Sequence, residues 1–170
     1  RADIKLEDFE GEDCWMGLDL ASKRDLTAKT LMFERDGSLY LFGTSYLPED
    51  IIEEKLSSNH AHYAGWARAG HLILTPGNVT DYEWLERDIL SDMERFAIKA
   101  AVFDPREMTY LHSRLRAAGV SDEVLVEYPV NVANYSDPMK EMDARIVSRR
   151  MKHDGNPVLT WCLSNVVAHT

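Results

Sequence analysis

The feature that most constrains this chain is an aspartate inside an apolar run. Cys14-Trp15-Met16-Gly17-Leu18-Asp19-Leu20-Ala21 reads as a short buried strand, and Asp19 is the charge within it. A carboxylate in a strand core loses its hydration, which is costly unless a cation, a metal or hydrogen bonds compensate. Ser22-Lys23-Arg24-Asp25-Leu26-Thr27-Ala28 follows as a polar turn with a second acid and leads into another apolar stretch. The fold must therefore supply a strand that tolerates a charge and a tight return beside it.

The 170 residues suffice for one domain with a sizeable core and are too few for two ordinary ones. Hydrophobic residues at 45% and charged residues at 28% describe a globular chain. No apolar run approaches the roughly 20 residues that cross a bilayer, and no signal-peptide pattern opens the chain, so no membrane partner is expected. Cys14 and Cys162 lie in apolar stretches without metal-like spacing and read as buried free thiols in a reducing cytoplasm. A net charge of -10 argues against a general nucleic-acid coat protein. It leaves room for a metal site of clustered acids with a local basic strip.

Arg1–Asp13 carries Asp3, Glu7, Asp8, Glu10, Glu12 and Asp13 with little apolar material, and reads as an acidic linker before a domain over 14–170. Strands are predicted over Trp15–Ala21, Thr27–Phe33 and Leu39–Tyr46, the last two joined by a hairpin at Asp36-Gly37. Leu47-Pro48-Glu49-Asp50 suits a helix start, with helical patterning as far as Trp66, and Leu72–Gly77 is extended. Asp81 is placed to cap a helix bearing Trp84, Leu85, Ile89, Met93 and Phe96. A fourth strand over Ile98–Asp104, a helix striped by Met108, Leu111, Leu115 and Ala118, and a fifth strand over Val124–Tyr128 follow. Ser136-Asp137-Pro138 is read as the cap of a helix burying Met139, Met142, Ile146 and Val147. Asp154-Gly155-Asn156-Pro157 breaks the chain before a last helix over Val158–Val167. The order predicts an α/β fold with three antiparallel strands, then parallel strands, flanked by helices.

Asp104 is the second informative acid, because it ends an apolar strand at the carboxyl edge of the sheet, where open α/β sheets bind ligands. Beside Pro105 it is also a natural helix cap. If the first and fourth predicted strands are neighbours, Asp19 and Asp104 approach one another and repel unless a divalent cation lies between them. Two Mg²⁺ or Mn²⁺ ions about 4 Å apart would activate water and stabilise a leaving 3′-oxygen. Asp25 reads equally as a turn residue or a peripheral metal acid, and Asp154 as turn chemistry. Lys140, Arg145, Arg149, Arg150, Lys152 and His153 gather before Asp154, either as a solvated face or as a strip for phosphates. The six histidines lack zinc spacing, there is no nucleophile elbow, and no P-loop motif provides an ATP site.

Gly17-Leu18-Asp19-Leu20-Ala21-Ser22-Lys23-Arg24-Asp25-Leu26-Thr27-Ala28 resembles the opening motif of the nuclease domain of phage terminase large subunits of the HK97-like type. Leu74–Tyr82, Phe103-Asp104-Pro105, Ser136–Glu141 and His153–Leu159 resemble later blocks of that family in the same order. The resemblance implies an RNase H-like, Mg²⁺- or Mn²⁺-dependent endonuclease that cuts concatemeric double-stranded DNA in the host bacterial cytoplasm. It also implies an N-terminal packaging ATPase, a small terminase subunit and a portal as partners. By motif, Asp19 and Asp104 are metal ligands and Asp25 an accessory acid, with Lys23, Arg24, Lys140, Arg149, Arg150 and Lys152 as DNA-contact candidates. The third carboxylate is either Asp154 or an acid beyond Thr170, which would make the nuclease domain incomplete at its C-terminal side. A resolvase- or transposase-like core and an inactive DNA- or portal-binding module are the alternatives; an actin-like nucleotide site would need a second glycine-rich turn and more chain.

Overall fold

The computed structural model describes residues 1–20, 25–56 and 62–166. Its sheet is built from β1 (Asp13–Asp19), β2 (Thr27–Arg35), β3 (Ser38–Pro48), β4 (Ile73–Thr75), β5 (Ala97–Phe103), β6 (Leu125–Glu127) and β7 (Met151–His153). A short 3-10 helix (Leu6–Phe9) and six α-helices accompany it among the described residues: α1 (Glu49–Leu56), α2 (His62–Arg68), α3 (Tyr82–Arg95), α4 (Pro105–Ala117), α5 (Val132–Val147) and α6 (Pro157–Ser164).

The strand order is β4-β3-β2-β1-β5-β6. The first three strands in the chain are antiparallel neighbours, while β5 lies parallel to β1 and β6 parallel to β5. The β2–β3 hairpin closes through Asp36 and Gly37, whose φ values of 51° and 69° are those of a type I′ turn. That two-residue turn matches the strand twist and pins Arg35 opposite Ser38.

Along β1 the side chains alternate. Cys14, Met16 and Leu18 are buried with Leu31, Phe33, Ala101 and Phe103 on one face, under Leu85 and Ile89 of α3 and Met108, Leu111 and Leu115 of α4. Asp13, Gly17 and Asp19 are open on the other face. The run read as uniformly buried is therefore two-faced, and Asp19 avoids the core because a strand turns successive side chains to opposite sides.

Four further expectations change. The acidic lead-in packs onto the domain: Phe9 is buried against Phe33, Tyr40 and Phe42, Glu12 pairs with Arg35, and Glu10 with Arg95. Helix α5 starts earlier than Ser136, because the Asn131 side chain accepts the amide of Asn134 and caps it there. Pro138 then falls inside the helix and cannot donate to the Asn134 carbonyl, which accepts the Tyr128 hydroxyl at 2.6 Å instead. α5 buries none of its residues, and Met139, Ile146 and Val147 are exposed, so the predicted apolar stripe is not a core face here.

The three-residue strand β7 is too short to carry an alternation that would predict it. It exists through pairing Met151, Lys152 and His153 beside Leu39, Tyr40 and Leu41. Of the two free cysteines, Cys14 is buried as expected and its thiol is pushed up to about 12 by burial, whereas Cys162 is exposed.

Candidate active site at the carboxyl edge of the sheet

Asp19 is the last residue of β1, and Asp104 directly follows β5. The two strands are parallel neighbours, with Leu18 beside Phe103, so the chain brings both acids to one edge. A cleft of about 250 Å³ opens there, lined by Gly17, Leu18, Asp19, Ala28, Thr30, Val102, Phe103 and Tyr135. A side chain at Gly17 would meet nothing within 4 Å, so the glycine leaves the floor of the cleft open.

The two carboxylates differ in electrostatics. Loss of hydration, followed by the negative charges of Asp25 and Asp104, raises the pKa of Asp19 above the usual carboxylate value. Among the described residues no hydrogen bond or ion pair engages the Asp19 carboxylate. Asp104 is anchored instead: one oxygen accepts the Arg106 amide at 3.0 Å as the cap of α4, and the other accepts the Val130 amide at 3.0 Å. Those backbone donors lower its pKa, with a smaller contribution from the Arg106 charge. The cap reading of Asp104 is thus geometrically correct, and each oxygen retains a lone pair for a further partner.

The depressed pKa of Asp104 has a consequence for stability. Its folded value lies below the unfolded one, so the contribution is present above the unfolded pKa and lost as pH falls through the folded value. Asp104→Asn cannot accept from both amides, and its thermal midpoint should fall less steeply than the parent's as pH drops below about 4. Superimposable acid limbs in melts taken across that range would contradict this.

Asp25 accepts the Leu26 amide at 2.9 Å. Its charge is felt by Asp19, by Tyr63 of α2 and by Cys162 of α6, which places it between the cleft and those helices. Asp154 is not brought to the acid pair. It follows β7, three strands from β1 and so roughly 14 Å across the sheet at about 4.8 Å per strand. There its side chain accepts the Asn156 amide at 2.9 Å, while Asn156, not Asp154, caps α6.

Of the basic residues, Arg150 and Lys152 also sit apart from the pair. Lys140 is paired with Asp137, and Arg149 adopts a left-handed φ of 58° just beyond α5. The Arg150 carbonyl accepts the Leu39 amide, and Lys152 lies over the Tyr40 ring with its amine 3.2 Å from the Tyr40 hydroxyl. Leu39 and Tyr40 begin β3, at the end of the sheet opposite Asp19. Lys23 and Arg24 lie outside the described residues.

Sequence reasoning missed Tyr135 and Arg106. Tyr135 joins the cleft only because α5 begins at Val132; the Ser136 start would have left it in a loop. The signal available for Arg106 was its position two residues after Asp104, in the first turn of α4.

Oxygen donors at this edge suit a hard divalent cation, and the mutual repulsion of Asp19, Asp25 and Asp104 is what such a cation would relieve. Among the described residues, however, no three His, Cys, Asp or Glu side chains group as a ready-made cage. The fit is that of a two-carboxylate site.

Comparison with known proteins agrees with this architecture. The terminase large subunit endonuclease domain family matches residues 1–170. Protein YmfN of Escherichia coli K12 is 30% identical over 98% of this chain and 38% of its own length. The terminase large subunit of Enterobacteria phage HK97 is 29% identical over 90% of this chain and 30% of its own. The chain therefore spans only about a third of these relatives. The crystal structure of the HK97 bacteriophage large terminase superimposes with a TM-score of 0.78 at 28% identity, covering 88% of this chain and 31% of that one. The large terminase of a thermophilic bacteriophage shares the fold at a TM-score of 0.51 and 12% identity, over 86% of this chain and 29% of that one.

Proposed function

We propose that this chain, which belongs to the terminase large subunit endonuclease domain family, is a metal-dependent nuclease of viral DNA packaging that hydrolyses phosphodiester bonds in concatemeric double-stranded DNA. The observation that carries the reading is the meeting of Asp19 and Asp104 at one sheet edge, beside a cleft with an open floor.

In this reading Asp19 and Asp104 hold Mg²⁺ or Mn²⁺, and Asp25 adds negative potential behind Asp19. The bound cations would supply the positive charge that activates water and stabilises the leaving 3′-oxygen. Asp104 arrives already anionic, held by two amides, so its geometry does not wait for the cation. Asp19 carries the electrostatic penalty that cation binding removes. Gly17 lets the DNA backbone approach the acids. Lys140, Arg149, Arg150 and Lys152, with Lys23 and Arg24 by sequence alone, are candidates for phosphates elsewhere along the duplex.

The reading extends to the remainder of a packaging motor as partners, namely an ATPase domain, a small terminase subunit and a portal, working in the host cytoplasm. Among the described residues no helix is long and apolar enough to cross a membrane. The absence of a third clustered ligand among those residues supports a second reading, an inactive DNA- or portal-binding module of the same motor.

Supercoiled plasmid incubated with the chain and Mn²⁺ separates the two. Nicking that EDTA stops is the expected result. Duplex binding without nicking, persisting when the chain is carried in a longer terminase subunit, would establish the binding module instead.

A further inference from the structure

We infer that Tyr135 and Arg106 grip the phosphodiester at the Asp19–Asp104 cleft, the tyrosine through its hydroxyl and the arginine through its free guanidinium edge. The inference rests on the nuclease reading and names the protein side of its substrate contact. An acid pair that must receive a DNA phosphate also repels it, and neighbouring donors must offset that repulsion.

Two side chains at this edge answer the need. Tyr135 lines the cleft together with Asp19, and it is partly exposed. Among the described residues no hydrogen bond engages its hydroxyl. The charges of Asp19 and Asp104 both reach the phenol and, after burial, help to raise its pKa, so it remains a neutral donor at working pH. Arg106 donates to the Val130 carbonyl at 3.2 Å and lies 3.6 Å from an Asp104 oxygen. Its side chain is 70% exposed, which leaves other N–H groups of the guanidinium turned to solvent.

Both donors hang from one strap. Asp104 accepts the Val130 amide, Asn131 next to it caps α5, and the Tyr135 amide closes the first turn onto the Asn131 carbonyl at 3.1 Å. The ring of Tyr128 packs 5.7 Å from that of Tyr135, while its hydroxyl holds the Asn134 carbonyl. The acid that begins α4 thereby also fixes the helix that carries the tyrosine, so the two donors keep their places relative to the carboxylates. Such fixed donors favour a bound phosphate without reorganising on contact.

The test measures binding of a short fluorescent duplex in Ca²⁺, across a salt series, alongside calorimetric uptake of Mn²⁺. Arg106→Gln should weaken duplex binding about tenfold and reduce the slope of log affinity against log salt by about 0.9, as expected for one lost phosphate contact. Arg106→Lys should retain that slope, which a purely structural role for Arg106 would not require. Tyr135→Phe, which keeps the ring, should weaken binding about threefold with Mn²⁺ uptake unchanged. Parent-like affinity and slope in Arg106→Gln and Tyr135→Phe, with cleavage still lost in Asp19→Asn, would overturn this inference and leave the nuclease reading standing. A parent chain that takes up no Mn²⁺ and binds no duplex would remove both.

Discussion

Asp19→Asn is expected to lower Mn²⁺-dependent cleavage about a thousandfold while raising the thermal midpoint of the metal-free protein. The loss corresponds to the several kcal/mol that a correctly held cation contributes to the transition state. The gain follows from the sign of the pKa shift. Asp19 has a folded pKa above its unfolded value, so its favourable contribution exists below the unfolded pKa and is lost as pH rises through the folded one. At neutral pH its charge therefore opposes folding, and asparagine removes that charge. Mn²⁺ should raise the melting temperature of the parent and leave the variant nearly unmoved, because ligand binding stabilises only the state that holds the site. Melts and plasmid nicking on the same samples check both parts. A variant that nicks as fast as the parent would exclude Asp19 from the chemistry, and one that melts lower in the absence of metal would refute the electrostatic account.

The largest stability effect should come from the opposite face of the sheet. Lys29 on β2 and Asp92 on α3 are both buried and form an ion pair, beside Tyr46, whose hydroxyl donates to Asp88 at 2.8 Å. Burial raises the pKa of Asp92, and Lys29 pulls it back towards the charged form. Asp92→Ala leaves an ammonium without its partner in a site shielded from water, at an expected cost of about 3–5 kcal/mol. Lys29→Met combined with Asp92→Leu removes both charges together and should cost far less, since no buried ion then lacks a counter-ion. Urea unfolding of the single and double variants measures the difference. If Asp92→Ala proved no worse than the double substitution, the pair would not be coupled as the geometry requires.

How much was legible in the sequence differs between elements. The hairpin at Asp36-Gly37 was readable because a two-residue turn with positive φ has few solutions. The caps at Asp81 and Asp104 were readable for the same local reason, a side chain reaching an amide two residues on. The start of α5 was misread because Ser136-Asp137-Pro138 looks like a cap, and the Tyr128 hydroxyl that makes Pro138 tolerable belongs to the preceding segment. Strand β7 was invisible because three residues, Met151, Lys152 and His153, are too few to show a period of their own.

The sequence by itself determined that one acid, Asp19, lies within an apolar strand run, that a second, Asp104, ends another, and that polar residues separate the first run from the next. These are local facts of pattern, turn chemistry and capping. Only the tertiary structure decided that β5 lies parallel to β1, which places Asp19 and Asp104 at one edge, and that β7 lies beside β3, which leaves Asp154 apart. Tyr135 reaches that same edge through a strap held by Asp104, and Arg106, two residues on in α4, is tied to that strap at Val130. Neighbourhood across a sheet is set by which hydrophobic faces pack against α3 and α4, and no stretch of chain encodes that alone. Asp19 was conspicuous as a charge among apolar residues, but strand alternation turns it out of the core, and the packed sheet gives it Asp104 as a partner.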